Sequence, residues 1–265
     1  MMSYQGIIIS VSVVAGCGLL ISLFLSFFAK RFAVPVNKQE EEVLAALPGN
    51  NCGGCGFPGC SGLAAAIVKG EAPVSGCPVG GKSVADTVAA IMGVDAGTFV
   101  KKVAFVKCNG TCDVAGENYE YSGPKDCRSA AMAPGRGSKA CNYGCLGFGS
   151  CQRVCDNDAI HILDGIAVID PEKCGSCGKC VSACPMGLIE IVPYDANVRV
   201  ACSSKDKGNI TMKACKAGCV GCGICVKNCE AGAITVTDNV AHIDYDKCTR
   251  CGVCAEKCPK KIINV

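Results

Sequence analysis

Two cysteine runs, Cys174-x2-Cys177-x2-Cys180-x3-Cys184-Pro185 and Cys248-x2-Cys251-x2-Cys254-x3-Cys258-Pro259, leave this chain few ways to fold. Four thiolates this close in sequence can wrap a cubane [4Fe–4S] cluster, the fourth usually ligating the neighbouring cluster. With 26 cysteines in 265 residues, no tryptophan and 5% aromatics, inorganic groups must replace much of the core. Segments of roughly 60–80 residues generally need a metal or disulfides, and metal binding contributes directly to folding. Disulfides are the competing use of these thiols. Short Cys-x2-Cys spacings favour metal, and a cytoplasmic orientation would put the cysteines in a reducing compartment.

Residues 1–29 carry no charged side chain, and Ile7 to Ala29 is long enough to cross roughly 30 Å of hydrocarbon as one helix. Lys30, Arg31 and Lys38 flank its C-terminal end, and nothing basic flanks the other. The positive-inside rule therefore places the N-terminus outside and the rest in the cytoplasm, as a single-pass protein of the cytoplasmic (inner) membrane. Val14-Ala15-Gly16-Cys17 resembles a lipoprotein cleavage site, but the missing basic n-region argues against a signal peptide. Cys17 reads as a small apolar residue of the helix.

Beyond the anchor, Asn37 can cap a short helix from Lys38 to Leu47 that Pro48-Gly49 ends. Next comes Cys52-Gly-Gly-Cys55-Gly-Phe-Pro-Gly-Cys60, completed by Cys77. Its glycines leave backbone amides free to curl around a cluster and donate to its sulfurs. Gly62 to Lys69 reads as a helix returning the chain to the metal, and Ser83 to Met92 as another, ended by Gly93. A four-cysteine zinc site is the competing reading of Cys52, Cys55, Cys60 and Cys77.

From about Val103 onward the chain is an internal duplication with an offset of 74 residues. Cys141, Cys145, Cys151, Cys155, Cys174, Cys177, Cys180 and Cys184 map without a gap onto Cys215, Cys219, Cys225, Cys229, Cys248, Cys251, Cys254 and Cys258. Alternating apolar segments repeat too, around Asp164-Gly165 and Asp238-Asn239, and predict β-hairpins. His161 and His242 each align with a non-ligating residue and read as strand side chains. Asp156 and Glu230 stand where proline follows the other runs, and read as solvated surface positions. The expected fold is α+β: one N-terminal transmembrane helix (1–29), a small helical 4Fe-4S domain (30–98), and two tandem two-cluster, bacterial-type ferredoxin domains (99–197, with an insertion at about 109–140, and 198–265).

In the second copy the expected ligand sets are Cys219, Cys222, Cys225 and Cys258, then Cys229, Cys248, Cys251 and Cys254. In the first, the equivalent of Cys222 is Phe148, which cannot ligate iron. Cys141 is the expected substitute, joining Cys145, Cys151 and Cys184, with Cys155, Cys174, Cys177 and Cys180 holding the neighbour. With the N-terminal quartet this makes five clusters. An alternative partition takes Cys108, Cys112, Cys127 and Cys141 for a sixth and leaves Cys145, Cys151 and Cys184 as a [3Fe–4S] candidate. Cys108, Cys112, Cys127, Cys202 and Cys215 are thus candidates for additional metal ligation, with free buried thiols the competing reading of Cys202 and Cys215; Cys108 and Cys202 open their copies in similar contexts.

The order of these parts resembles the B subunit of the Rnf complex, a membrane-bound ferredoxin:NAD oxidoreductase that couples electron flow to sodium or proton translocation. The resemblance rests on the uncharged N-terminal segment, the Cys52/Cys55/Cys60/Cys77 spacing and the ferredoxin runs behind it, and covers essentially the whole chain. It implies a translocase subunit without an active site of its own, which accepts electrons from soluble ferredoxin and passes them to partner Rnf subunits. The second ferredoxin copy and Phe148 depart from the commoner pattern. A membrane-tethered polyferredoxin serving another redox enzyme, and a zinc-stapled scaffold, are the alternatives.

The residues agree with an electron conductor. There is no G-x-G-x-x-G after a strand, no Walker loop and no nucleophile elbow, so neither nucleotide nor flavin is expected on this chain, and no nucleic-acid partner. The apolar helix holds no ionisable residue that could relay an ion. The formal charge of +3 omits the clusters, each about −2 when oxidised with its thiolates. The segment from Arg199 to Val265 nevertheless has eleven Lys or Arg against six Asp or Glu. Lys257, Lys260 and Lys261 are therefore a candidate docking face for an acidic ferredoxin.

Overall fold

The computed structural model describes residues 4–31 and 37–264. Helix α1 (Tyr4–Arg31) has 28 residues, about 42 Å at 1.5 Å per residue. Its segment Val11–Phe28 has a mean hydropathy of 2.3, with none of it buried inside the protein. Leu19, Leu20, Phe24 and Leu25 are all exposed. A helix apolar on every side needs surroundings other than water, and this one is long and apolar enough to cross a membrane.

Three helices follow: α2 (Lys38–Ala46), α3 (Gly59–Val68) and α4 (Gly81–Met92). The Asn37 side chain accepts the Gln39 N–H at 3.1 Å and caps α2. Gly93, at φ +66°, ends α4 in a left-handed turn. Helix α3 begins three residues earlier than its apolar run suggests and so takes Cys60 into its first turn. Val43, Leu63, Ile67 and Val88 interlock between the three helices as one core.

The duplicated region holds β1 (Lys102–Val106), α5 (Cys127–Ala131), α6 (Ser150–Arg153), β2 (Ile160–Leu163), β3 (Ile166–Ile169), α7 (Lys179–Ala183) and β4 (Ile189–Pro193). Its second half holds β5 (Arg199–Val200), α8 (Gly208–Ala214), α9 (Ile224–Lys227), β6 (Ile234–Thr237), β7 (Val240–Ile243), α10 (Val253–Glu256) and β8 (Ile263–Asn264). Hairpins β2–β3 and β6–β7 close on two-residue turns in which Asp164, Gly165, Asp238 and Asn239 all have positive φ. That geometry matches the right-handed twist of the strands.

Each half is completed by pairing its first and last strands. Val106 stands opposite Ile189, and Val200 opposite Ile263. The offset is 94 residues on the first strand and 74 on the last, so the first half carries 20 additional residues between them. Each half has its own core, and both cores include three cysteines at equivalent positions: Cys145, Cys151 and Cys180, then Cys219, Cys225 and Cys254. Thiols therefore occupy places where aliphatic side chains would otherwise pack.

Candidate metal centres

A local device recurs four times in the duplicated region. In Cys177-Gly178-Lys179-Cys180, Cys222-Gly223-Ile224-Cys225 and Cys251-Gly252-Val253-Cys254, the glycine adopts φ of 71–77° immediately before a short helix. A side chain there would be strained, and the turn aims the following cysteine inward. The fourth copy, Phe148-Gly149-Ser150-Cys151, keeps the glycine turn at φ +71° without the first thiol. Cys151, Cys180, Cys225 and Cys254 are all buried.

Cys155, Cys174, Cys177 and Cys180 line one cavity, and Cys219, Cys222, Cys225 and Cys258 another. Cys254 is influenced by Cys248, Cys229 and Cys251, while burial first of all pushes its thiol up to about 11. In the N-terminal unit, burial raises the Cys77 thiol, and Cys60 and Cys55 add to the effect. Cys52 lines the edge of the Cys155 cavity. The Asn51 carboxamide accepts the Cys60 N–H at 2.8 Å and holds this loop.

Cys141, the substitute expected from the sequence, is not among the residues that line the cavity of Cys145, Cys151 and Cys184. The thiol that joins those three around a cavity is Cys127, from the insertion. Burial pushes Cys151 up to about 12, and Cys145, Cys127 and Cys184 reinforce the shift. Asp126 holds Cys127 in place. Its carboxylate caps α5 through the Arg128 and Ser129 N–H groups, accepts the Ser150 hydroxyl at 2.9 Å and pairs with Arg153 at 2.8 Å. The Ser129 N–H, then the Ser150 hydroxyl, hold that carboxyl below its ordinary range. Ser150 in turn accepts the Cys127 N–H at 3.1 Å. The clue in the sequence was the coincidence of a missing ligand with an inserted cysteine in the same copy.

Of the alternative partition, Cys112 is exposed and donates its N–H to the Asp164 carbonyl. Cys141 instead shares a cavity with Cys108, Cys202 and Cys215. Cys17 is exposed on α1. His161 lies opposite Val168, and His242 opposite Thr235, on the hairpins. Asp156 pairs with Lys179 at 2.5 Å.

These cavities suit iron–sulfur groups in their polar detail as well as their thiols. Backbone N–H groups point at sulfur: Ala104 to Cys174 at 3.4 Å, Ala159 to Cys155 at 3.4 Å and Leu188 to Cys184 at 3.5 Å. The Ser176 hydroxyl, on the Cys155 cavity, is buried without a partner among the described residues. A buried hydroxyl is costly unless something accepts its proton, and cluster sulfur would. Among the described residues, no three Cys, His, Asp or Glu side chains stand close enough to share one metal ion. The thiols instead ring voids, as a polynuclear group requires.

Family models cover the same segments. Residues 47–79 match "Putative Fe-S cluster", residues 167–190 match "4Fe-4S binding domain", and residues 218–262 match "4Fe-4S dicluster domain". The chain is 51% identical to the B subunit of the Na(+)-translocating ferredoxin:NAD(+) oxidoreductase complex of Acetobacterium woodii, over 98% of this chain and 78% of that protein. It is 41% identical to the B subunit of the ion-translocating oxidoreductase complex of Methanosarcina acetivorans, over 97% of each. It is 42% identical to the B subunit of the proton-translocating ferredoxin:NAD(+) oxidoreductase complex of Clostridium ljungdahlii, over 87% of this chain and 82% of that protein. With iron–sulfur family matches in both its N-terminal unit and its duplicated region, and likeness to these relatives over nearly its whole length, the chain belongs to the family of B subunits of ion-translocating ferredoxin:NAD oxidoreductase (Rnf) complexes.

Proposed function

We propose that this chain is the electron conductor of an Rnf-type complex, accepting electrons from reduced ferredoxin and handing them to partner subunits that reduce NAD and move Na+ or H+. Five groups of thiols would hold [4Fe–4S] clusters: Cys52, Cys55, Cys60 and Cys77; Cys155, Cys174, Cys177 and Cys180; Cys127, Cys145, Cys151 and Cys184; Cys219, Cys222, Cys225 and Cys258; and Cys229, Cys248, Cys251 and Cys254. When bound, each such group takes up and gives back a single electron. The chain's own part is to hold the groups in series, bury them and donate N–H bonds to their sulfurs.

The observation that carries this reading is the succession of thiol groups through the fold. The Gly54 backbone lies so close to Cys177 that a β-carbon on it would stand 2.8 Å from the Cys177 carbonyl oxygen. The N-terminal loop is thus pressed onto the next group. In the first half, alternate residues of one strand face neighbouring groups: Ile160 lines the Cys155 cavity and Ile162 the Cys127 cavity.

The three cores support the boundaries 30–98, 99–197 and 198–265 for the cluster-bearing domains. Residues 1–29 serve as a single-pass anchor, and Lys30, Arg31 and Lys38 set the bulk of the chain on the cytoplasmic side. Lys257 and Lys261 are exposed beside the last cysteines and form the docking face for acidic ferredoxin.

The test is anaerobic purification with the native partners, followed by iron and sulfide analysis and reduction by ferredoxin. Near-equal iron and acid-labile sulfide, bleaching on addition of reduced ferredoxin, and co-purifying flavin-bearing membrane subunits are expected. A folded, colourless, iron-free chain would refute the reading.

A further inference from the structure

Four cysteines outside the five groups meet where the two halves join. Cys108, Cys141, Cys202 and Cys215 line one cavity together, as Cys127, Cys145, Cys151 and Cys184 line another and Cys219, Cys222, Cys225 and Cys258 a third. The four are two repeat-related pairs, Cys108 with Cys202 and Cys141 with Cys215, so each half contributes two thiols.

The surroundings repeat that symmetry. The Cys108 sulfur accepts the Gly110 N–H at 3.4 Å and the Cys145 N–H at 3.3 Å. The Cys202 sulfur accepts the Ser204 N–H at 3.5 Å and the Cys219 N–H at 3.2 Å. Cys145 and Cys219 belong to the flanking groups, so one hydrogen bond connects this cavity to each neighbour. The insertion locks the halves together here. Ala115 bridges to Cys215, and Lys216 donates its N–H to the Val114 carbonyl at 2.9 Å.

Charge supplies an independent argument. Lys139 lines this cavity and is 5% exposed. Its ammonium donates to the Gly110 and Gly165 carbonyls, both at 2.8 Å, with no carboxylate among its described ion-pair partners. A buried ammonium without a counter-charge is strongly disfavoured. An oxidised [4Fe–4S] core with four thiolates carries about −2 and would supply one. A single zinc would instead need all four sulfurs within about 2.3 Å of one point. The described residues show no such convergence.

We propose that Cys108, Cys141, Cys202 and Cys215 hold a further [4Fe–4S] cluster that joins the two halves of the duplicated region. This rests on the conductor reading above. On loading, four Fe–S bonds form and four S–H bonds break, the protons passing to solvent. The iron–sulfide core itself comes from the same assembly chemistry that loads the other groups.

The experiment uses the full-length chain, purified anaerobically in detergent as wild type, Cys202→Ser, the double variant Cys141→Ser/Cys215→Ser, and Cys112→Ser. Iron and sulfide are counted, whole-protein mass is measured under native conditions, and paramagnetic resonance spectra are recorded. The wild type is expected to carry about 24 iron atoms as six clusters. The double variant is expected to lose one sixth of the iron, Cys202→Ser to lose that share or gain a [3Fe–4S] signal, and Cys112→Ser to match the wild type. Should the double variant fail to fold, the wild-type mass still decides: six clusters support the proposal and five overturn it. Unchanged iron in the folded double variant, or loss of one zinc in its place, would also overturn it. In those cases the five-cluster reading stands, whereas a wild type without iron removes both.

Discussion

Phe148 lays its ring against Tyr121, with centroids 5.4 Å apart and planes inclined at 47°. Tyr121 belongs to the insertion that also carries Cys127. The same segment therefore covers the side chain that displaced a thiol and brings another thiol to the cavity. Cys127→Ala is expected to remove one cluster or leave a three-iron remnant. Adding Phe148→Cys restores a thiol at the position equivalent to Cys222, and is expected to recover the iron. It forfeits the ring contact, about 0.5–1.5 kcal/mol. Iron content and resonance spectra of the single and double variants check this, and failure of the second change to restore iron would contradict the arrangement.

Lys139 should tune the cavity it lines. A unit positive charge close to a redox group, at an effective dielectric constant near 20, is worth about 2–3 kcal/mol, or about 100 mV for one electron. Lys139→Met is therefore expected to lower the midpoint of one cluster by about that amount and leave the other midpoints near their wild-type values. A redox titration followed by paramagnetic resonance reads the shift. A midpoint that rises, or an even displacement of every signal, would contradict it.

Gly54 permits the contact between the N-terminal loop and Cys177. In Gly54→Ala the added carbon meets the Cys177 carbonyl oxygen at 2.8 Å, an overpacking worth about 1–3 kcal/mol. The loops are expected to part slightly. Electron exchange between the N-terminal unit and the first half should slow while iron content holds, as measured by freeze-quenched spectra after rapid reduction. Unaltered exchange would show that electrons do not pass through this contact.

Charge on the last segment should govern encounter with ferredoxin. Reversal of Lys257 and Lys261 to glutamate is expected to slow reduction by ferredoxin by at least about tenfold at low ionic strength, with the difference fading as salt rises. Stopped-flow bleaching at several salt concentrations measures it. Reduction that ignores both salt and the two substitutions would move the docking face elsewhere.

Much of this arrangement was legible in the residues because cysteine spacing is a local code. At Cys177, Cys222 and Cys251 the following glycine makes a left-handed turn that opens a short helix, a local choice that reveals their surroundings, whereas in Cys174-Gly175-Ser176-Cys177 the positive φ falls on Ser176 and no helix begins there. The hairpins were legible for the same reason, since Asp164-Gly165 and Asp238-Asn239 tolerate positive φ. The partners of Cys127 and Cys141 were not. Which thiol lines which cavity depends on how the insertion folds over Phe148, where its contacts run through Asp126, Ser150 and Tyr121, residues with no metal-binding signature. The hint for the fourth cavity lay in the repeat itself, because Cys108, Cys141, Cys202 and Cys215 are two matched pairs outside the ferredoxin runs. The transported ion is not written in these parts: the Acetobacterium woodii and Clostridium ljungdahlii relatives share the likeness yet carry different ions in their names.

The division of Cys108, Cys141, Cys202 and Cys215 between the halves has a consequence for how the molecule can be cut. A product ending after the first half would keep its own hairpin and strand pairing but only two of those four thiols. It would be a wire with a frayed end, and no rearrangement of its remaining cysteines could mend the splice, since the missing pair arrives only when the second half has been synthesised and folded against it.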